Sequence, residues 1–157
     1  MTDVRIVKIN SQYPKIITIA KWIFNEWGHL KPENTLETTI ALLKDRCGDI
    51  VPSIYAGEFN NKPVGTASLI ECDMEIRQQY TPWVASVYVD TNWRNQGIGS
   101  KLVSHVENEA KNHKIKKVYL FTPNRQKMYS RLGWQGIEEL EYKGQKVVTI
   151  MMKDLTI

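Results

Sequence analysis

WVASVYVDTNWRNQGIGSKL, residues 83–102, combines an apolar run, a loop with two glycines and the start of a helix. The run Trp83–Val89 is almost continuously apolar, a pattern typical of a strand buried on both faces of a sheet. After the loop, apolar residues recur at helical spacing at Ile98, Leu102, Val106 and Ala110. The segment therefore predicts a central strand that leads through a short loop into an amphipathic helix.

Two amphipathic helices are predicted near the N-terminus, after a short strand from Val4 to Ile9. The first helix has apolar residues at three- and four-residue steps and ends at Gly28. Its apolar positions are Ile16, Ala20, Ile23 and Trp27, with Ile17 and Phe24 alongside. The second helix begins after Asn34 or Thr35. Its inward positions are Leu36, Ile40 and Leu43.

The other strands are predicted from β-rich runs that are bounded by turn residues. These runs are Ser53–Phe59, Pro63–Ile70, Lys117–Phe121, Trp134–Tyr142 and Lys146–Met152. A short helix, Arg125–Leu132, is followed by Gly133, which can stop it. The chain has no internal repeat, low-complexity tract or linker. We therefore predict a single domain over residues 1–157, of mixed α/β class.

A formal charge of +4 and a pI near 9.0 suit nucleic acid, a membrane surface or a phosphate-bearing cofactor. The basic residues are scattered, without a stripe of interleaved aromatic residues, and one lysine cluster over residues 111–117 is expected to be solvated. No apolar run approaches the roughly 20 residues of a membrane helix, and no signal-type block opens the sequence. We expect a cytoplasmic protein that binds neither nucleic acid nor membrane.

The cysteines and histidines do not form a ligand pattern. Cys47 and Cys72 have no close-spaced partner, and His29, His105 and His113 are not paired at metal-ligand spacing. The sequence therefore predicts neither a disulfide nor a metal site.

The loop Arg94–Gly99, RNQGIG, lies where the predicted helix begins. A helix N-terminus carries about half a positive charge and unpaired N–H groups, which bind phosphate well. Gly97 and Gly99 lack a Cβ, so the backbone can adopt unusual dihedral angles and approach an anion closely. Arg94 can add a charge-assisted contact. The loop alone predicts anion binding, although a glycine pair can also be a simple tight connection.

Two common phosphate-binding motifs do not fit this loop. A dinucleotide-binding motif has a third glycine three residues after Gly99, where this chain has Leu102, and an acidic residue about 20 positions later, where it has Tyr119–Leu120. A nucleotide P-loop requires Gly-Lys-Ser or Gly-Lys-Thr, and the order at residues 99–101 is Gly-Ser-Lys. Neither alternative agrees with the sequence.

Two motifs resemble those of the GNAT acyltransferase superfamily. The first joins the strand residues Val87–Val89 to Arg94–Gly99, in the form Arg/Gln-x-x-Gly-x-Gly/Ala. The second runs from Val118 to Pro123 and ends in Met128–Trp134, which resembles the family's Tyr-x-x-Leu-Gly-Phe/Trp ending. The resemblance is close over residues 64–155 and looser over the N-terminal strand and two helices.

This resemblance implies a central mixed β-sheet of about seven strands flanked by about four helices. It also implies that the parallel strands Trp83–Val89 and Lys117–Phe121 splay apart and that coenzyme A inserts between them. Backbone groups of Val87 and Val89 would then contact the pantetheine arm and the acyl carbonyl. The full set of implied cofactor-binding residues is Val87, Tyr88, Val89, Arg94, Asn95, Gln96, Gly97, Ile98, Gly99, Ser100, Lys101, Asn124 and Tyr129.

Tyr129 matches the family tyrosine that lies near the cofactor sulfur. A phenol with a pKa of about 10 can donate toward a developing thiolate whose thiol has a pKa of about 8.5. A core tyrosine on a short helix is the alternative interpretation.

The base that deprotonates the amine is harder to assign, because the position of the family's glutamate falls near Trp83. Glu71 and Asp73 could act through water, although acidic loop residues are usually just solvated. His29 is a weaker candidate. Trp27, Tyr80 and Trp83 could shape an acceptor pocket or simply pack in the core.

The function implied is an N-acetyltransferase that uses acetyl-CoA and a primary amine of a small molecule or peptide. Neither motif contains a cysteine, so we expect direct transfer in a ternary complex. The alternatives are a non-catalytic acyl-CoA-binding or interaction module and, less favoured, a nucleic-acid binder. The acceptor and the choice between monomer and homodimer do not follow from the sequence.

Overall fold

The structure is a computed structural model that describes residues 3–144 and 146–157. Met1 and Thr2, which belong to the segment where we predict no signal block, and Gln145 lie outside the described residues. The strands are β1 Arg5–Lys8, β2 Ser53–Phe59, β3 Lys62–Ile70, β4 Trp83–Val89, β5 Lys117–Thr122, β6 Gln135–Tyr142 and β7 Lys146–Asp154. The α-helices are α1 Ile16–Trp27, α2 Leu36–Asp45, α3 Ile98–Asn112 and α4 Gln126–Arg131.

The strands form one seven-stranded sheet in the order β1-β2-β3-β4-β5-β7-β6. Neighbouring strands are antiparallel, with the exception of β4 and β5, which are parallel. The parallel pair follows from the strand-helix-strand connection through α3, because a crossover helix returns the chain in the same direction. The predicted mixed sheet with seven strands and four helices is confirmed.

The two faces of the sheet carry different helices. Alternate residues of β2 and β4, such as Tyr55 and Val84, pack against α3 and the tyrosine of α4. We call this side the α3 face. Their strand neighbours point the other way, where Ile54 packs with α1 and α2, and Trp83 packs with the loop that follows β3. We call this side the α1 face.

Glycines let α3 lie close to the sheet. A Cβ built on Gly65 would be 2.9 Å from Leu102 Cδ1 and 3.0 Å from the Tyr88 carbonyl oxygen. A Cβ on Gly57 would come within 3.8 Å of Leu102. Because Leu102 is fully buried, a side chain at Gly65 would push either the helix or β4 out of place.

Two sequence expectations need correction in detail. In α1, Ile16, Ala20 and Ile23 are buried as predicted, but Ile17 is 49% exposed and Ile19, which we did not predict, is buried beside them. The strand β4 is buried only over Trp83–Ala85 and is half-buried from Ser86 to Val89. The apolar run therefore does not mark burial on both faces along the whole strand.

Candidate active site

The parallel strands β4 and β5 are paired only near the start of β4, and we call the unpaired region toward their carboxyl ends the cleft. Within the described residues, the register of this parallel pair consists of Trp83 opposite Tyr119 alone. The Tyr119 N–H donates to the Pro82 carbonyl at 3.0 Å, just before β4 begins. By contrast, β5 pairs with β7 along its whole length, from Lys117 to Thr122. The edge of β4 that faces β5 thus has no strand partner over Ser86–Val89 in the described chain and can accept hydrogen bonds from, or donate them to, a bound chain.

A β-bulge changes the direction of β4 at the start of this open edge. Ser68 of β3 lies opposite Ala85, and Thr66 lies opposite Tyr88, so β4 has one residue more than β3 between these pairs. Ser86 has a φ of 54°, in the left-handed region that is unusual for a residue other than glycine. Such bulges re-aim strand residues at functional sites.

The glycine loop has the geometry of an anion site. Gly97 is the N-cap of α3 with a φ of 79°, and Asn95 also has a positive φ of 64°. Within the part of the chain that the structure describes, the N-cap of α3 has no side-chain hydrogen bond. The N–H groups of the first turn of this 15-residue helix are therefore available to a ligand. Gly99, however, is an ordinary helical residue, so only Gly97 uses the conformational freedom that we expected of both.

The basic residues of the loop differ in where their charges lie. The Arg94 Nε donates to the Val89 carbonyl at 2.9 Å, and its guanidinium carbon lies 5.2 Å from the centroid of the Tyr88 ring. Arg94 therefore folds back over the open end of β4. The Lys101 ammonium donates to the Val4 carbonyl at the start of β1, on the side of the sheet away from β5.

The remaining predicted cofactor residues divide by exposure. Gln96 is exposed, Ser100 is half-buried, and the Ile98 side chain is buried in the core of the α3 face. Ile98 can therefore offer only backbone groups. Asn124 is exposed directly after β5, at the carboxyl-terminal end where the cleft opens, and its N–H donates to Thr122 Oγ1 at 3.4 Å.

Tyr129 is held rigidly at the core of the α3 face. Its side chain is buried, and its ring meets the Trp134 indole edge-to-face, with 6.0 Å between the centroids. Trp134 is fixed in turn, because its Nε1 donates to Glu107 Oε2 at 3.1 Å. Burial raises the pKa of Tyr129 to about 12, while Arg125 opposes the shift. The phenol therefore stays protonated at physiological pH.

The two candidate carboxylates have different surroundings. Glu71 is exposed, and its carbonyl oxygen accepts a hydrogen bond from the Thr81 hydroxyl at 2.7 Å. Asp73 is half-buried, and burial raises its pKa to about 7, with Arg46 opposing the rise. A carboxyl group that titrates near neutral pH is suited to proton transfer, so its burial and raised pKa make Asp73 a better candidate base than Glu71.

The chain matches the family model described as "Acetyltransferase (GNAT) family" over residues 16–134. It belongs to the GNAT family of acetyltransferases. The resemblance inferred from the two sequence motifs is confirmed. No curated protein matches the chain significantly.

Solved structures share the GNAT fold at low sequence identity. An N-acetyltransferase from Staphylococcus aureus Mu50 has a TM-score of 0.75 at 19% identity, covering 99% of this chain and 100% of the other. For yncA from Salmonella typhimurium, solved with its cofactor acetyl-CoA, the TM-score is 0.74 at 18% identity, with 99% and 96% coverage. An aminoglycoside 6'-N-acetyltransferase complexed with coenzyme A gives 0.77 at 15% identity, with 98% of each chain covered.

Arg46, at the carboxyl end of α2, is a candidate site residue that the sequence did not indicate. Its Nη1 donates to Ser86 Oγ at 3.0 Å and to Ser68 Oγ at 3.4 Å, so it reaches the bulge of β4 from the α1 face. Burial lowers the pKa of Arg46, and Asp73 opposes that shift. Nothing in the local sequence signals this, because the contact joins residues 40 positions apart.

Aromatic residues form a wall beside the bulge on the α1 face. The Tyr88 ring stacks on Trp22 at 5.6 Å between centroids and meets Trp27 at 6.3 Å. Tyr80 stacks on Tyr119 at 4.8 Å. Trp83, which we considered for an acceptor pocket, is fully buried and belongs to the core. His29 is exposed in the turn after α1.

Two further features are absent from the described residues. No helix in residues 3–144 and 146–157 is long and apolar enough to cross a membrane. No group of three or more histidine, cysteine or acidic residues in the same ranges could hold a metal ion.

Proposed function

We propose that this protein is an acetyl-CoA-dependent N-acetyltransferase that transfers the acetyl group directly to a primary amine. The observation that carries the proposal is the open edge of β4, which lies beside the uncapped N-terminus of α3. A ligand with an extended amide-containing arm and a diphosphate matches both features, because the edge can pair with amides and the helix start with phosphate. Membership in the family and the two neighbours solved with coenzyme A or acetyl-CoA support this ligand.

The cofactor residues follow from the available backbone groups. Val87 and Val89 would pair with the pantetheine arm, and the N–H groups of Ile98, Gly99 and Ser100 would face the diphosphate. Asn95, Gln96 and Gly97 shape the loop around it. We assign Lys101 no direct phosphate contact, because its ammonium donates to Val4 and its N–H donates to Gly97 inside the helix.

Additional contacts would come from both sides of the cleft. Arg94 and Tyr88 stack together at the end of β4 and would cover the cofactor arm, while Asn124 would reach it from the end of β5. When bound, acetyl-CoA supplies an acetyl thioester, a carbon activated for attack by an amine.

Asp73 is proposed as the base. An ammonium group with a pKa of about 10.4 is unreactive until it loses a proton, and a carboxylate with a pKa near 7 can accept that proton directly or through water. Glu71 remains the second candidate, and its exposure argues for a solvated role.

Tyr129 is proposed as the hydrogen-bond donor to the thioester sulfur. Because its pKa of about 12 lies above the roughly 8.5 of a free thiol, the phenol stabilises the departing thiolate mainly as a donor and keeps its own proton. Direct transfer is supported by the state of Cys47, since burial raises the pKa of this thiol and Sγ donates to the Leu43 carbonyl at 3.3 Å.

All seven strands lie in one sheet, which supports treating residues 1–157 as a single catalytic domain. The alternative is a module that binds acyl-CoA without turnover. Such a module would retain the cleft but would not need a base, whereas the pKa of Asp73, about 7, suits a base.

A thiol-release assay with acetyl-CoA against several classes of amine tests the proposal. We expect coenzyme A release that depends on an amine and that Tyr129→Phe reduces strongly. Calorimetric titration with acetyl-CoA distinguishes the enzyme from the non-catalytic module. Tight acetyl-CoA binding without release for any amine class would favour the non-catalytic module, and no binding would overturn the cofactor assignment itself.

A further inference from the structure

Arg46 is a cation without a carboxylate in direct contact. None of the ion pairs within 4.0 Å in residues 3–144 and 146–157 involves Arg46, and the only hydrogen bonds of its side chain there run from Nη1 to the hydroxyls of Ser68 and Ser86. Nε and Nη2 are therefore unused. No fully buried side-chain nitrogen or oxygen of the described chain lacks a partner, so neither of these two nitrogens is completely sealed from solvent, although Arg46 as a whole is half-buried.

The position of Arg46 places these free donors beside the reaction site. Ser86 marks the bulge where the open edge of β4 begins, and the guanidinium is held there by a 3.0 Å hydrogen bond. Guanidinium groups bind carboxylates through two parallel N–H···O bonds, which leaves Nη1 free for the serine. The Nε and Nη2 groups of Arg46 could thus bind one carboxylate next to the point at which an amine would attack.

Asp73 supplies the opposite charge on the same side of the site. Arg46 and Asp73 interact electrostatically, since each opposes the effect of burial on the other's pKa. Lys143 adds positive charge near Asp73, and Glu75 adds negative charge. The cation and the anion are therefore near enough to affect each other, and a zwitterion would complement this pair of opposite charges.

We propose that the acceptor is a small amine with a carboxylate close to the amino group, of which α-amino acids are the simplest class. The proposal rests on the acetyltransferase function above. Arg46 would bind the carboxylate, and Asp73 would receive the ammonium and take one proton from it. The nitrogen lone pair then forms the C–N bond as the C–S bond breaks. The second nitrogen proton ends on the coenzyme A thiol, so the products are the N-acetyl amino acid, coenzyme A and one proton.

This arrangement also disfavours other acceptors. A polyamine or an aminoglycoside would bring further positive charge to Arg46 and Lys143 without a carboxylate to compensate, and like charges in a partly desolvated site repel. An uncharged amine would leave the fork of Arg46 without a ligand.

The test compares matched acceptors that differ only in the carboxylate: an α-amino acid, its amide and its decarboxylated amine. Because charge-assisted bidentate bonds are strong, we expect wild-type kcat/KM to favour the amino acid by roughly 10- to 100-fold over both analogues. Arg46→Met should raise KM for the amino acid and reduce this preference to a fewfold, with the KM for acetyl-CoA little changed. Arg46→Lys keeps the charge but lacks the two parallel N–H donors of a guanidinium, so it should recover part of the preference for the amino acid.

Lys44→Met serves as the matched control, because Lys44 is an exposed basic residue in the last turn of α2 and should not affect acceptor preference. The wild-type comparison tests the inference even if an Arg46 variant does not fold. Equal or better turnover of the amide or the decarboxylated amine would overturn it and leave the proposed function intact. Absence of turnover for every amine class would instead overturn the proposed function.

Discussion

Trp83 and Tyr119 face each other across β4 and β5, with 6.0 Å between their ring centroids, at the one register position that the two parallel strands share in the described chain. Trp83 is fully buried, and the Tyr80 ring contacts both partners, with its centroid 4.8 Å from that of Tyr119 and 6.3 Å from that of Trp83. This aromatic contact forms the closed end of the cleft. Beyond this contact the two strands are no longer paired. The contact therefore sets the distance between β4 and β5 at the closed end of the cleft.

Replacing Trp83 with alanine should therefore be costly to stability. Removal of a fully buried indole leaves a cavity, and we expect a loss of about 3–5 kcal/mol in the free energy of unfolding. Urea denaturation followed by circular dichroism measures it. Val147→Ala, at a position 56% exposed, should change stability by less than about 0.5 kcal/mol. A loss below about 1 kcal/mol for Trp83→Ala would show that the contact does not hold the cleft.

Tyr129→Phe should lower kcat by about 100-fold and leave the acetyl-CoA dissociation constant within about threefold. The phenyl ring keeps the packing on Trp134, so the melting temperature should be nearly unchanged. Steady-state kinetics and calorimetry on the same preparation check both quantities. If kcat were unaffected, Tyr129 would be a structural residue and not the hydrogen-bond donor to the thioester sulfur.

Asp73→Asn should remove a pH-dependent part of the activity. A base must be deprotonated to act, and the pKa of Asp73 is about 7, so the wild-type advantage in kcat/KM should be full above pH 8 and shrink as pH falls below 7. The ratio of wild-type to variant kcat/KM between pH 5.5 and 9 cancels the titration of the amine itself. A ratio that is constant with pH would exclude Asp73 as the base.

The same carboxyl group should make stability depend on pH. Its pKa rises from about 3.9 in the unfolded chain to about 7 in the folded one, so between these values the folded chain holds a proton that the unfolded chain has lost. Stability therefore falls as pH rises through this window. Asp73→Asn should be more stable than wild type at pH 8, and the difference should shrink toward pH 4. Urea titrations at both pH values measure it, and equal stability at pH 8 would contradict the raised pKa.

Gly97 and Gly99 should respond oppositely to alanine. Gly97 has a φ of 79° with open space around its missing Cβ, so Gly97→Ala costs about 1 kcal/mol purely from backbone strain. At Gly99 the helical backbone suits alanine, and an added Cβ would meet only Val89 Cγ2 at 3.7 Å. Gly99→Ala should therefore raise stability by about 0.5 kcal/mol. Thermal unfolding of the two variants measures both changes in stability. A change of the same sign in both variants would contradict a left-handed backbone at Gly97 and a helical one at Gly99.

Local sequence patterns were sufficient for the order of helices and strands and for the loop at the start of α3. Hydrophobic periodicity and glycine positions report on neighbouring residues, which is why the bounds of β2 and β4 agree with the prediction. The bulge at Ser86 could not be predicted, because it depends on the register between two strands. Nor could the approach of Arg46 to Ser86 or the burial of Asp73, since both arise from packing between distant segments.

The loop after β3 is attached to the last hairpin of the chain. Arg77 pairs with Glu138, and Glu75 accepts a hydrogen bond from the Tyr142 hydroxyl at 2.9 Å. The segment that carries Asp73 is therefore braced by residues more than 60 positions away, on the α1 face, whereas the loop at Gly97 depends on α3. Under the proposed function, the two halves of the reaction can therefore evolve separately: mutations in α2, this loop or the hairpin would change which amine is accepted and would leave the binding of acetyl-CoA unchanged.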